Sequence, residues 1–347
     1  RRRIQISVGA SHVTVRNNVI EMKALTAVPG AWTGGTTEAD NIRYYIYDFF
    51  KHIAAPNLTS DDRAIMLEGD VSPVSDMLIE GNQVIDGLIG LECRESSSVE
   101  IRNNHFENLS SGCLALRPGA LDVHFHDNVV ENANFGVRPQ DLADSRGHLA
   151  YIYRNLFFLN EEADRGTQLG THIYLHTDYS GAIQTTDPEI YVYHNSFMGG
   201  SRGFGMPVLA NLRDGHWLKK FVILNNLISA YKPIIGDHYD SPEFIGAFDY
   251  NWVGGVPRPN YYLPGDETPF PLWYGPSNAI RNGVYVAAGI ASDANSGDLV
   301  DAQVLNNGVN LSQTFTANET TFPPLPGMSP GYFEGVAPDI GAVQFDQ

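Results

Sequence analysis

Cysteine is nearly absent: Cys93 and Cys113 are the only two in 347 residues. Two cysteines do not make a disulfide scaffold, and no CxxC or Cys/His cluster offers zinc spacing. Long apolar runs are missing too. No stretch of 18 or more apolar residues occurs, which excludes a membrane-spanning helix of ordinary composition. Positive charge is scarce: 22 Lys and Arg stand against 40 Asp and Glu, for a net charge of −18. A negative field of that size opposes nucleic acid and anionic membranes, so neither is expected as a partner. The glycine-containing stretches "GTQLGTH" and "GGSRGFG" lack the lysine and following helix of a phosphate loop. The opening "RRRIQISVGASHVTV" carries no signal-peptide core, as expected for a mature or trimmed product that begins inside a structural unit.

What is present is a recurring phrase. "VTVRNNVI", "LIEGNQVI", "VEIRNNHF", "VHFHDNVV", "YIYRNLFF", "YVYHNSF", "FVILNNLI" and "AFDYNWV" align on Asn18, Asn82, Asn104, Asn128, Asn155, Asn195, Asn226 and Asn251. Three residues before each stands Val15, Ile79, Ile101, Phe125, Ile152, Val192, Ile223 or Phe248. Two residues after stands Ile20, Val84, Phe106, Val130, Phe157, Phe197, Ile228 or Val253. Every flanking position is apolar. The phrase therefore predicts a short alternating strand, a bend at Asn, and a second short strand. Asn suits the bend because it tolerates the left-handed conformation and bonds nearby backbone. Where coils stack about 4.8 Å apart, identical amides can also bond one another as a ladder. The anchors are 64, 22, 24, 27, 40, 31 and 25 residues apart. The floor of that series is one turn of a parallel β-solenoid, and the excess is loop inserted at coil corners. An antiparallel sandwich gives no reason for a constant Asn offset.

The phrases "VEIRNNHF" and "FVILNNLI" resemble the repeats of right-handed parallel β-helix proteins, the pectate-lyase-like superfamily. The ending "SPGYFEGVAPDIGAVQF" (329–345) is similar to the close of many secreted bacterial β-helix proteins. The resemblance implies an all-β, right-handed parallel β-helix with long loop insertions and a C-terminal cap. It also implies a carbohydrate-active, secreted or periplasmic protein whose substrate lies across one strand face walled by loops. It leaves activity open, because such folds carry lyases, hydrolases, epimerases, esterases and tailspikes. Coils are expected over 1–253, interrupted by an insertion at 21–62. A loop-rich cap over 254–347, ending in a final β-helix-type strand, would close the solenoid end, hide its edge or fold over one face. One domain, monomeric or weakly oligomeric, is expected.

After each Asn bend comes a further strand: "AIMLEGD" (64–70), "LIGLECRE" (88–95), "CLALRPG" (113–119), "FGVRPQD" (135–141), "HIYLHTD" (172–178), "PVLANLRD" (207–214) and "PIIGDHYD" (233–240). Aligning their apolar residues predicts one outward column of Asp70, Arg94, Arg117, Arg138, His176, Asn211 or Arg213, and Asp237. "LRP" and "VRP" make Arg117 and Arg138 its central pair. Stacked guanidiniums repel by roughly 1 kcal/mol per close pair, and Glu68, Glu92 and Glu95 are placed to offset this. The column then reads either as an Arg/Glu surface network or as an anion-binding cleft.

For a uronate polysaccharide, β-elimination needs the carboxylate neutralised and a base facing C5. Arg117 and Arg138 fit the clamp and His176 the base, with Arg138 and Arg213 as rival bases. Arg94, Asn211, Trp217, His238 and Tyr239 are the expected substrate contacts. Asp178, Asp214, Asp237 and Asp240 offer hard oxygens for Ca²⁺. A glycoside hydrolase would instead pair two of Asp178, Asp214 and Asp237. A non-catalytic glycan-binding or tailspike-like solenoid would use Trp217, Tyr239, Trp273 and Tyr274 as platforms. His124 and His126, flanking Phe125, are expected on the exposed surface without a third metal ligand. Cys93 and Cys113 differ by about three residues in coil position, about 10 Å along the strand, and are expected as buried free thiols.

Overall fold

Alternation decides which way each strand faces. In Ser96–Arg102, Val99 and Ile101 are buried while Glu100 and Arg102 stand on the opposite side. The same alternation recurs in Val74–Glu80 and Ala120–His126. The computed structural model describes residues 2–21, 63–70, 72–133, 135–140, 147–159, 171–174, 189–199, 202–205, 220–229, 247–254, 284–286, 307–317, 319–333 and 337–342. Residues 22–62 of the expected interruption fall outside them.

The fold is all-β, built of stacked parallel strands as a parallel β-helix requires. Eight strands form one sheet, ordered Thr14–Arg16, Val74–Glu80, Ser96–Arg102, Ala120–His126, His148–Tyr153, Glu189–Tyr193, Lys220–Leu224 and Ala247–Asp249. This is the first wall. A 14-stranded sheet supplies two more. The second wall runs from Val19–Glu21 through residues 83–87, 105–109 and Val129–Ala133 to Trp252–Gly254 and Val284–Val286, so parallel stacking continues past residue 253. The third wall runs from Arg2–Ser7 and Arg63–Glu68 through residues 89–94 and 112–116 to Phe135–Pro139, Thr171–Tyr174 and Arg202–Gly205. The long strands Gln83–Arg94 and His105–Leu116 turn the corner between second and third walls, with a register shift between Gly87 and Ile89.

One core fills the space between the walls. The apolar residues flanking each Asn lie in it, apart from Phe248 and Val253, whose side chains are outside the described set. Corner glycines make room for the aromatic rings. A Cβ on Gly136 would meet the His172 carbonyl at 2.4 Å and Phe157 Cε1 at 2.8 Å, and one on Gly90 would meet Phe106 Cδ1 at 2.8 Å. Cys93 and Cys113 are both buried and free, as expected, and burial pushes both thiols up.

The asparagines form a continuous ladder. Nδ2 of Asn18 donates to Oδ1 of Asn82 at 2.9 Å, Asn82 to Asn104 at 2.9 Å, and Asn104 to Asn128 at 3.0 Å. It continues from Asn128 to Asn155 at 3.0 Å, to Asn195 at 2.9 Å, to Asn226 at 3.0 Å and to Asn251 at 3.1 Å. One expectation is corrected here. The left-handed residue is the one before the anchor: Asn17, Asn103, Asp127, Arg154, His194, Asn225 and Tyr250 have φ between 51° and 56°. The anchors are left in ordinary conformations, so their amides can face the neighbouring coil; the left-handed position falls on Asn or Asp four times and on Arg154, His194 and Tyr250 in the other coils named.

The C-terminal segment folds over one face. Leu311, Phe315, Ala317, Leu325 and Met328 pack on Tyr153, Tyr193, Val222, Leu224 and Ala247 of the first wall, forming a second, smaller core. Its only described strands are the antiparallel pair Phe315–Ala317 and Thr320–Phe322. Tyr193 donates its hydroxyl to the Pro326 carbonyl at 2.7 Å, and Asn225 Nδ2 donates to Val309 at 2.7 Å. The C-terminal residues 343–347, where a last strand was expected, lie outside the described set.

Candidate functional site

The outer face of the first wall is covered by the C-terminal segment. Beyond the C-terminal segment it carries a self-satisfied network. Arg102 bonds Glu80 at 2.9 Å and Glu100 at 2.7 Å, while Arg154 grips Asp127 with two bonds of 2.8 and 2.6 Å. Burial alone would raise the Asp127 carboxyl, but hydrogen bonds from His126 and Arg154 override it and hold it at about 2. His126 stacks on Tyr153, which stacks on Tyr193, with centroids 4.6 and 5.1 Å apart. The expectation of an exposed His126 is therefore corrected: the ring faces outward, yet it is buried under its aromatic and acidic neighbours.

On the second wall, His105, Glu107 and Glu131 bring ligand atoms within 4.8 Å of one another. They are the one group of metal-ligand type among the described residues. His105 Nε2 lies 3.2 Å from Glu131 Oε2, and Glu107 is the in-register neighbour of Glu131, all three half-buried.

The third wall carries the arginines. Inward residues fix its register: Leu91, Leu114 and Val137 stack, and so do Cys93, Leu116 and Pro139. Outward residues then form two columns. Met66, Glu92, Ala115 and Arg138 make one. Glu68, Arg94, Arg117 and Gln140 make the other, Arg117 and Gln140 donating their N–H groups to the carbonyls of Cys93 and Leu116 at 2.8 Å. Arg94, Arg117 and Arg138 thus share one outward face. Arg138 does not stack on Arg117, however: it sits two residues upstream, beside Ala115. Matching "LRP" to "VRP" slid the strand by two. Pro118 lies in the turn after the strand, whereas Pro139 lies inside its strand at an inward position beside Leu116.

At the centre of this face lies Glu92. Its side chain is 0% exposed although it points away from the main core. Its Oε2 accepts from Arg63 Nε at 2.5 Å and lies 3.5 Å from Arg117 Nε. Its Oε1 lies 3.8 Å from Arg94 Nη2 and accepts no hydrogen bond. Arg94 also reaches Glu68 at 3.9 Å, and the Arg138 guanidinium lies over the Phe135 ring at 5.3 Å. Three guanidiniums, those of Arg63, Arg94 and Arg117, therefore converge on Glu92, with Arg138 on the same outward face, in a molecule of net charge −18.

Of the residues expected at the site, the structure gathers Arg94, Arg117 and Arg138, and leaves Asp70 exposed just past the end of its strand. His176, Asp178, Asn211, Arg213, Asp214, Trp217, Asp237, His238, Tyr239 and Asp240 lie outside the described residues, as do Trp273 and Tyr274. The neighbour of Thr171–Tyr174 on this wall is Arg202–Gly205, upstream of the expected "PVLANLRD". Arg63 opens its strand one residue before the apolar pattern that begins at Ala64, so that pattern does not mark it. Glu92 was seen only as a charge offset, although its place between inward Leu91 and Cys93 puts it on the same face as Arg94. The chain matches no family model, no curated protein sequence and no solved structure.

Proposed function

We propose that this protein binds a uronate-containing polysaccharide across the third wall and cleaves it by β-elimination. We include in that reading the right-handed winding and the kinship with pectate-lyase-like proteins suggested by the repeats, and action outside the cytoplasm. The observation that carries it is the clustering of arginines on one outward face of a strongly acidic chain. The net charge of such a chain opposes a polyanion, so local guanidiniums set where one docks.

In the proposed reaction, guanidiniums of Arg94 and Arg117 neutralise the sugar carboxylate and stabilise the enolate-like state formed when C5 loses its proton. The electron pair from the C5–H bond forms the C4–C5 double bond, and the C4–O bond to the neighbouring sugar breaks. Arg138 stands one residue pair along the strand direction, about 7 Å away. That offset lets it act on a different part of the sugar from Arg117, and its packing on Phe135 fixes the guanidinium plane. His176 remains the proposed base, with Arg138 and Arg213 as rivals, and Ca²⁺ held by the later Asp residues remains an optional aid to carboxylate neutralisation.

The test is incubation with pectate, alginate and glycosaminoglycans while following absorbance of the unsaturated product. Arg138→Ala is expected to abolish product formation, at least about a hundredfold, with an unchanged thermal unfolding midpoint. An active variant removes Arg138 from the mechanism. New reducing ends without the absorbance would replace this reading by hydrolysis, and binding with neither signal by a non-catalytic glycan-binding protein.

A further inference from the structure

The exposures on the third wall are layered. Glu92 is 0% exposed and Arg63 4%, whereas Arg117 is 20% and Arg94 38% exposed. One carboxylate at the bottom thus touches guanidiniums from three successive coils: Arg63 before it, Arg94 on its own strand and Arg117 after it. Its Oε1, buried and accepting no hydrogen bond, faces Arg94. A buried carboxylate left short of a hydrogen bond is unfavourable, and it is retained where its charge orders its neighbours.

The geometry points to Glu92, paired with Arg63, as the positioning residue of this site: it holds Arg94 and Arg117 so that their exposed edges meet a carboxylate on an acidic sugar. It touches no ligand itself. This deepens the reading of the third wall as a uronate-binding face and rests on it for the ligand class, though not for the cleavage step.

Were the face a diffuse positive patch, removing a negative charge from it would tighten binding of a polyanion. Were Glu92 the anchor, the same change would release the arginines and weaken binding. The experiment measures calorimetric affinity of the whole chain for polygalacturonate. Glu92→Gln is expected to bind roughly tenfold more weakly than wild type, with unchanged far-UV circular dichroism. In an Arg94→Ala/Arg117→Ala background the further effect of Glu92→Gln is expected to vanish, because the groups it acts through are gone. Equal or tighter binding by Glu92→Gln, or an additive loss in that background, overturns the assignment. If Glu92→Gln fails to fold, Arg63→Met/Glu92→Met, which replaces the buried pair by apolar side chains, decides: weaker binding supports the anchor and unchanged binding overturns it. Wild-type protein that binds no polygalacturonate overturns the assignment together with the proposed function. Binding without unsaturated product overturns the lyase reading alone.

Discussion

Asn128→Ala is expected to lower the unfolding free energy by about 3–5 kcal/mol, a large effect for a side-chain truncation outside the apolar core. Asn128 is buried and sits in the middle of the ladder. Its Nδ2 donates to the Ile101 carbonyl at 2.9 Å and to Asn155 Oδ1 at 3.0 Å. Its Oδ1 accepts from the Asn104 backbone N–H at 2.9 Å and from Asn104 Nδ2 at 3.0 Å. Alanine removes all four contacts and leaves their partners in a buried site. An unmade buried bond costs about 1–3 kcal/mol, and the losses are coupled, so they do not simply add. Asn18 is the contrast: it is exposed, donates to Asn82 and forms the first rung. Asn18→Ala is expected to cost about 1 kcal/mol or less. Urea denaturation of both variants checks the pair, and equal losses at the two positions would mean that the ladder is incidental.

Acid is expected to detach the C-terminal segment from the first wall before the coils unfold. His194 is buried beneath that segment, 3.1 Å from the Tyr332 hydroxyl and 2.9 Å from Asn225 Nδ2. Burial, then the nearby Arg154 charge, bring its pKa down to about 3 against backbone bonds near Gly341 and Asp339 that raise it. The unfolded or detached imidazole takes its proton near pH 6.5, the docked one only near 3. Stability is therefore full above about pH 6.5 and falls as pH drops through that window, by up to about 1.4 kcal/mol per unit. The paired Asp127 acts in the same direction lower down, losing its contribution only as pH falls from about 3.8 towards 2. Protonation of other carboxylates relieves repulsion on this acidic chain and works the opposite way. The comparison that isolates His194 is thus thermal unfolding of wild type and His194→Gln between pH 7 and 4.5. A flatter slope in the variant is expected, and parallel slopes would assign the acid sensitivity elsewhere.

The coil architecture was legible because its signal is local. Each Asn and its apolar partners fall within six residues, and the alternation tells each strand which side faces in. The ladder followed from coil stacking alone. The left-handed residue was misplaced by one because Asn suits both tasks, and only the neighbouring coil shows which task each residue performs. Lateral register on the third wall was harder, because corners vary in length. Arg94, Arg117 and Gln140 are each separated by 23 residues, and that constant interval gives the true column. The likeness of "LRP" to "VRP" drew Arg138 into it instead. Glu92 and Arg63 could not be ranked from letters, since outward-facing charges read as solvated until burial is known. The C-terminal segment was expected to cap, hide an edge or cover a face, and nothing in its composition chose among the three. Its apolar residues find Tyr153, Tyr193 and Leu224 only once the coils have brought those side chains onto one surface.

Hydrogen–deuterium exchange with and without saturating oligogalacturonate tests most directly whether the third wall is one binding surface assembled from distant segments. Protection is expected in peptides covering 88–95, 113–119 and 135–140 together, with the outer face of the first wall unchanged. Protection confined to the first wall, or scattered over segments that the coils do not bring together, would contradict the account.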